Sequence, residues 1–463
     1  MIFKRLHRAI PLLVAVALVV SACTVIAEPG PRTSTSTFKT AEAAFHILIE
    51  RSVDKPGSPQ LLNAALDAAI AQLKKDGVSD PVVTRPDFTG STESDLAKFS
   101  ATLDGLLQRY PSETSTALER AATDGMARSM NDCHTYYLDP DRAKGFNQPP
   151  AEYSGIGAQL AANDPNGLPE ITKVFGNSPA EKAGVKAGDK IKTVNGADVK
   201  GLTAEEVANK IKGPDGTTVE LVLVRAGVDV PFSIVRAKIT PKQVEDRIDD
   251  GNIGYISVSA LNGDVANQVT AAVKRQNAAG VVGRVLDLRN DPGGDLSAAV
   301  DIASIFMKNA TLVYQIGRDG QRQALPTSDR WFVADTKPLV VLVNKNSASG
   351  SEIIAAGVQA NGVGIVMGTQ TAGCVGIGQP RELPDGGLLL VTLARMQDAK
   401  TGEELNGQGR GVVPDKIVEQ NPNLPGDAQL AAADAYLRSL VRSGYLRTPG
   451  PEPHAGAWTS LAA

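Results

Sequence analysis

The chemistry open to this chain is narrowed first by what it lacks. Three cysteines and four histidines are scattered over 463 residues. No set of them stands at zinc or iron-sulfur spacing, so neither a protein-ligated metal nor another cofactor is expected. No P-loop and no Gly-x-Ser-x-Gly elbow is present, and residues 362–368 carry glycines at the wrong spacing for a dinucleotide fingerprint. Hydroxyl chemistry remains. Ser349 stands in Asn346-Ser-Ala-Ser-Gly-Ser-Glu352, where an apolar run over 339–344 gives way to a helical pattern. A hydroxyl there lies by a helix N-terminus, whose dipole and free N–H groups favour developing negative charge. On local sequence alone, helix capping is the commoner job for such a serine. A serine nucleophile also needs a partner to take its proton. Beyond the first segment the histidines on offer are His46, in a helical pattern, His134, in Asn131-Asp-Cys-His-Thr-Tyr-Tyr-Leu-Asp-Pro140, and His454, in a Pro- and Gly-containing tail.

Length and composition frame these residues. At about 150 residues per domain, 463 residues predict about three domains. Hydrophobic residues at 42% and charged residues at 21% describe a globular chain. Lys plus Arg at 47 against Asp plus Glu at 51 gives a net charge of -4 without a basic cluster, so nucleic acid is not an expected partner. Lys4, Arg5 and Arg8 precede an apolar run over 9–20, and Ser21, Ala22 and Cys23 follow. That is the pattern of an export signal, too short and too Pro-interrupted for a retained membrane helix. Val20-Ser21-Ala22-Cys23 resembles the lipobox of bacterial lipoproteins, in which the cysteine carries lipid as the first mature residue. Residues 1–22 are then a signal peptide, and Cys23 tethers the chain to the bilayer on the extracytoplasmic side of the cell envelope. Removal of the signal leaves 44 basic against 51 acidic side chains. Residues 23–40, crowded with Pro, Ser and Thr, read as a flexible tether.

The remaining elements sort into three regions, and the expected fold class is multidomain α/β. Residues 41–152 form a mainly helical region, with apolar residues at helical spacing such as Leu61, Leu62, Ala65, Leu66, Ile70 and Leu73. Residues 153–237 are β-rich, with a strand over 217–225 and one helix over 203–211 opened by a Thr203/Glu206 capping box. From 238 to 425, strands over 254–258, 283–288, 339–344 and 363–368 alternate with helices over 265–277, 295–308 and 349–360, the pattern of an α/β core. Residues 426–463 add a helix over 428–442 and the tail.

Residues 178–196, Ser-Pro-Ala-Glu-Lys-Ala-Gly-Val-Lys-Ala-Gly-Asp-Lys-Ile-Lys-Thr-Val-Asn-Gly, resemble the PDZ signature of bacterial proteases, and Gly155-Ile156-Gly157 resembles its carboxylate-binding loop. The resemblance implies capture of protein or peptide C-termini, with loop N–H groups holding the carboxylate while the peptide adds to a sheet edge. Asp287-Leu-Arg-Asn-Asp-Pro-Gly-Gly294, the Ser349 segment and Gly411-Val-Val-Pro-Asp415, in that order after a PDZ domain, resemble the carboxyl-terminal processing (tail-specific) serine proteases. That resemblance implies a ClpP/crotonase-like core with Ser349 as nucleophile. It implies an oxyanion hole from Gly350 N–H and an N–H of Gly293 or Gly294, where glycine lets the backbone approach the scissile carbonyl.

One position departs from the family. Its general base is a lysine 25 residues after the serine in a Thr-x-Gly-Lys run, and here Thr371-Ala-Gly-Cys374 has cysteine there. Gln379 lies one residue beyond the family's supporting glutamine, Ala360 stands where some relatives carry aspartate, and Lys345 reads as the solvated end of a strand. The Asp-x-His-Thr segment at 132–135 resembles that of tricorn-like and retinoid-binding-protein-like relatives, which makes His134 the candidate base, with Glu404 a weaker candidate to orient it. An imidazole is mostly neutral at pH 7 and accepts a proton without the large pKa depression a lysine requires. The rival reading of His134 is a loop hydrogen bond, with Thr135 as a cap. An exported chain in an oxidising setting, left with Cys133 and Cys374 after lipidation of Cys23, pairs them as a disulfide that holds His134 against Ser349. Two free thiols, or Cys374 itself as nucleophile, are the alternatives. The expectation is an exported, lipid-anchored serine endopeptidase. A catalytically silent peptide-binding or scaffold lipoprotein is the rival, and small-ligand binding on a protease-like fold a third reading.

Overall fold

The computed structural model describes residues 37–111, 114–146, 153–160, 167–239, 242–333, 337–420 and 426–442. The export signal, the lipobox with Cys23, most of the tether and His454 lie outside the described residues.

The N-terminal region folds as four helices, Lys39–Arg51, Ser58–Lys75, Thr92–Arg109 and Ser115–Ser129. Each buries one apolar stripe, so Phe45, Leu48, Leu61, Leu62, Leu66, Phe99, Leu103 and Leu118 meet in one core. The tether is shorter than the 23–40 expected: the first helix starts at Lys39, and Phe38 is 1% exposed in that core. The burial of a full phenyl ring outweighs the Ser/Thr-rich composition just before it. Nor is the region purely helical. Tyr136–Leu138 is a strand paired antiparallel to Leu388–Asp398, and Tyr137, Leu389 and Val391 complete the helical core.

The β-rich region has its own core around Ile171, Ile191, Val207, Val219 and Leu223. Its helix spans Ala204–Ile211, with Thr203 and Glu206 forming the capping box. The Ala-Gly-Asp signature has a structural cause. Asp189, 1% exposed, accepts from Lys186 N–H at 2.8 Å and from Arg225 Nε and Nη2 at 2.7 and 2.6 Å, so the buried carboxylate is fully paired.

The α/β core is a six-stranded sheet. Ile253–Val258, Gly283–Asp287, Leu339–Val343 and Ile365–Gly368 run parallel in that order, with antiparallel Val244–Asp249 on one edge and Lys416–Ile417 on the other. Val265–Ala278, Leu296–Phe306 and Gly350–Asn361 pack on one face, as their buried alanines and branched aliphatics permit. The last helix, Ala428–Arg442, covers the opposite face through Ala433 and Leu437. Arg289, from the Asp-Leu-Arg run, links Asp287 to Asp427 and so pins that helix at its N-terminus. A second, five-stranded sheet was not expected from sequence: Leu388–Asp398 pairs with Tyr136–Leu138, Thr311–Gly317 and Gly376–Glu382, and Arg322–Pro326 extends it. Among the described residues no helix is long and apolar enough to cross a membrane.

Candidate active site

Ser349 occupies the junction between the central strand Leu339–Val343 and the helix Gly350–Asn361. Its backbone has φ 53° and ψ -115°, a conformation that L residues rarely adopt. Two acceptors hold that strained backbone: Ser349 N–H donates to Cys374 O at 2.8 Å and to Glu352 Oε2 at 3.0 Å. Glu352 is fully buried and also accepts from Thr371 Oγ1 at 2.5 Å, Gly373 N–H at 2.9 Å and Cys374 N–H at 3.0 Å. Burial pushes its carboxyl pKa up, against the pull of these donors. Sequence reasoning missed this residue, although the Ser-x-x-Glu spacing was visible. Gly411 closes the cluster from behind, where a Cβ would stand 2.8 Å from Glu352 Oε1 and 2.7 Å from Thr371 Oγ1. The three motifs separated in sequence therefore meet around one carboxylate.

The Asp-Pro-Gly-Gly turn lies directly beside the serine. A Cβ on Gly293 would meet Gly350 N at 2.7 Å and Ser349 Cβ at 2.8 Å, so only glycine fits, and φ +88° needs it too. Of the two glycines, Gly293 is the wrong oxyanion donor: its N–H donates to Asp291 Oδ1 at 2.9 Å. Gly294 N–H and Gly350 N–H remain as the pair able to face a developing oxyanion. Asp291 is wholly buried, and burial pushes its pKa up to about 7 against the pull of the Gly293 N–H.

His134 Nε2 lies 3.4 Å from Ser349 Oγ, across 215 residues of sequence. Cys133 and Cys374 form a disulfide with Cα atoms 5.9 Å apart. Its sulfurs stand 3.3 and 3.8 Å from His134 Nδ1, so the imidazole is flanked there by sulfur and not by a carboxylate. With the imidazole proton on Nδ1, toward sulfurs that can only accept, the Nε2 lone pair faces the serine. Burial holds the His134 pKa below 6.5, and the Asp132 charge opposes that shift. Asp132 does not touch the ring. It accepts from Thr135 Oγ1 at 2.8 Å, from Thr392 Oγ1 and from Asn406 Nδ2 at 3.3 Å, and so anchors the turn that carries His134. Thr135 makes the loop bond expected of it while His134 also meets the serine. A hydroxyl and a neutral imidazole so placed can exchange a proton, at a distance that catalytic pairs without substrate commonly show.

The other candidates lie elsewhere. Glu404 pairs with Arg395 at 2.5 Å, not with His134, because Arg395 also engages Asp54 and holds Glu404 on the second sheet. Lys345 is exposed. Gln379 is exposed on Gly376–Glu382 and accepts from Arg381. His46 faces Glu50 one turn on in its own helix.

In the β-rich region Gly155 ends the strand Tyr153–Gly155, and Ile156 is buried. Gly157 has φ +77°, and a Cβ there would stand 2.5 Å from Ser178 Cβ. The following strand, Ala158–Leu160, pairs among the described residues only with Ile171–Val174, which leaves its other edge for an added strand. Gln159 Nε2 donates to Asn290 O, and Asn290 Nδ2 to Thr172 O, each at 3.2 Å, so this region abuts the turn that leads to Gly293.

A parallel core with a strained serine at a strand-to-helix turn, joined to a separate β-rich domain with an open strand edge, has the architecture of a serine-type peptidase with a PDZ domain. Family models match peptidase family S41 over residues 252–418 and the PDZ domain over 148–224. The chain is 33% identical over 338 residues to the carboxyl-terminal-processing protease of Synechocystis sp., covering 70% of this chain and 77% of that protein. It is 33% identical over 329 residues to the carboxy-terminal processing protease CtpA of Bacillus subtilis, covering 70% and 68%. The solved photosystem II D1 C-terminal processing protease shares the fold, with a TM-score of 0.57 at 24% identity over 85% of this chain and 96% of that one. The chain belongs to the carboxyl-terminal processing proteases of peptidase family S41.

Proposed function

We propose that this peptidase replaces the family's serine-lysine pair by Ser349 and His134, and works as an exported endopeptidase tethered to the membrane by lipid on Cys23. The observation that carries the reading is the 3.4 Å approach of His134 Nε2 to Ser349 Oγ. His134 takes the hydroxyl proton as Ser349 attacks the scissile carbonyl, Gly350 N–H and Gly294 N–H face the oxyanion, and the imidazolium then protonates the leaving amine. Water deacylates the enzyme by the same route in reverse. The PDZ loop Gly155-Ile156-Gly157 receives a free C-terminal carboxylate, and the open edge of Ala158–Leu160 receives the peptide that precedes it.

Peptide substrates with free and with amidated C-termini test the reading. Wild type cleaves the free form faster, because amidation removes the charge-assisted acceptor from the loop N–H groups, while Ser349→Ala cleaves neither and His134→Ala cleaves both far more slowly than wild type. A wild type that binds the free form but cleaves nothing would make the chain a silent peptide-binding lipoprotein.

A further inference from the structure

No ligand cluster is visible along the sequence, yet folding assembles one. Cys133 Sγ and Cys374 Sγ lie 3.3 and 3.8 Å from the same atom, His134 Nδ1, and all three ligand atoms lie within 4.8 Å of one another. In a tetrahedral zinc centre, with Zn–S near 2.3 Å and Zn–N near 2.0 Å, sulfur and nitrogen ligands stand about 3.5 Å apart. The two sulfur-to-nitrogen distances bracket that value, and reduction of the bond between the sulfurs is what would let them separate to hold a metal. Access is open, since Cys133 is exposed and His134 and Cys374 are half-buried.

We propose that the reduced protein carries a site for a thiophilic divalent cation, Zn2+ above all, formed by the Cys133 and Cys374 thiolates and His134 Nδ1, and that filling it silences the enzyme. The silencing rests on His134 as the base; the binding does not. A dithiol reductant delivers two electrons and two protons to the Cys133–Cys374 bond, becoming a cyclic disulfide and leaving two protein thiols. Zn2+ then displaces both thiol protons into solvent, and each thiolate gives the metal an electron pair. His134 gives its neutral lone pair from Nδ1, so the single imidazole proton must sit on Nε2. That nitrogen faces Ser349 Oγ, and once it carries hydrogen it has no lone pair to accept the serine proton. Three protein ligands leave a fourth position for water, the arrangement of an open zinc site. One pair of sulfurs thus holds two states: bonded to each other they leave the base free, and bonded to a metal they disable it.

The test uses the full chain with Cys23→Ala, so that Cys133 and Cys374 are its only thiols, reduced and freed of reductant without oxygen. Titration with Cd2+ should show one ion per chain and a thiolate-to-cadmium absorbance band. Zn2+ should displace Cd2+, the oxidised chain should show neither, and Cys374→Ser should bind at least about 100-fold more weakly. Ser349→Ala should bind as tightly as wild type. Fluorophosphonate labelling of Ser349 should persist after reduction, fall at least about 100-fold with one equivalent of Zn2+, and return with a chelator while the thiols stay reduced. If reduction loosens the fold, the metal should restore the lost melting temperature. Absence of stoichiometric binding, equal binding by the oxidised chain, a reduced chain that stays unfolded in excess metal, or full labelling with metal bound would each overturn the proposal. Should His134→Ala still label, the base assignment fails on its own, and the cadmium titration continues to report on the site.

Discussion

On the proposed reading, His134 sets the pH behaviour of the site. Burial lowers its pKa below 6.5 by disfavouring the imidazolium, and Asp132 pushes the other way. A general base works only when deprotonated, so activity is present above the folded pKa and lost as pH falls through it. The acid limb of kcat/KM should therefore have its midpoint below 6.5. Asp132→Asn removes the negative charge that favours the imidazolium, so a pH profile should place the midpoint lower still. Retention of the original midpoint would remove Asp132 from the electrostatics. Loss of the imidazole in His134→Ala should cost about 10²- to 10⁴-fold in kcat, read as single-turnover acylation of Ser349. The approach of His134 to Ser349 was legible in sequence because Asp-x-His-Thr resembles the segment of histidine-bearing relatives. The disulfide was also legible, from the cysteine that takes the lysine position and the one beside His134, but not that its sulfurs face Nδ1. What sequence could not show was that Glu404 is claimed by Arg395, since that pairing crosses from the second sheet to Asp54 in a distant turn.

At the scale of elements, the parallel strands and their helices were readable to within a residue or two, because buried strands are short runs of Val, Leu and Ile bounded by turns. The second sheet was not, because its central strand, Leu388–Asp398, finds partners at Tyr136–Leu138 and Thr311–Gly317, far away in the chain. Gly293 illustrates the same limit: glycine marked a close approach, but only the turn around Asp291 shows which N–H is already spent. Glu352 joins the elements. Its carboxylate accepts four donors from the serine turn and from 371–374. Glu352→Gln keeps the volume but turns one acceptor into a donor that faces N–H groups. That should cost about 2–4 kcal/mol of stability, measured by urea unfolding, and should also slow acylation, because the Ser349 backbone loses one of its two anchors. Unchanged acylation in a destabilised Glu352→Gln protein would confine the residue to the fold.

Over the whole molecule, the Cys133–Cys374 bond joins the end of the helical region to the catalytic core across 241 residues of sequence. A closed loop of that length removes unfolded-state entropy worth about 5 kcal/mol. Thermal unfolding of the oxidised chain should therefore occur well above that of Cys133→Ser/Cys374→Ser, with the gap closing when the wild type is reduced without metal. Equal melting temperatures would show that the two regions hold together without the bond, through the packing of Tyr137, Leu389 and Val391 and polar links such as Asp132 to Thr392 and Arg395 to Asp54.

The rate of fluorophosphonate labelling as a function of pH tests most directly whether a histidine has taken the place of the lysine. Wild type should label on Ser349 alone, with a rate that rises through a single midpoint below 6.5 and stays level into the alkaline range, and His134→Ala should lose that step and most of the rate. A midpoint in the alkaline range, or labelling by His134→Ala at the wild-type rate, would contradict the account.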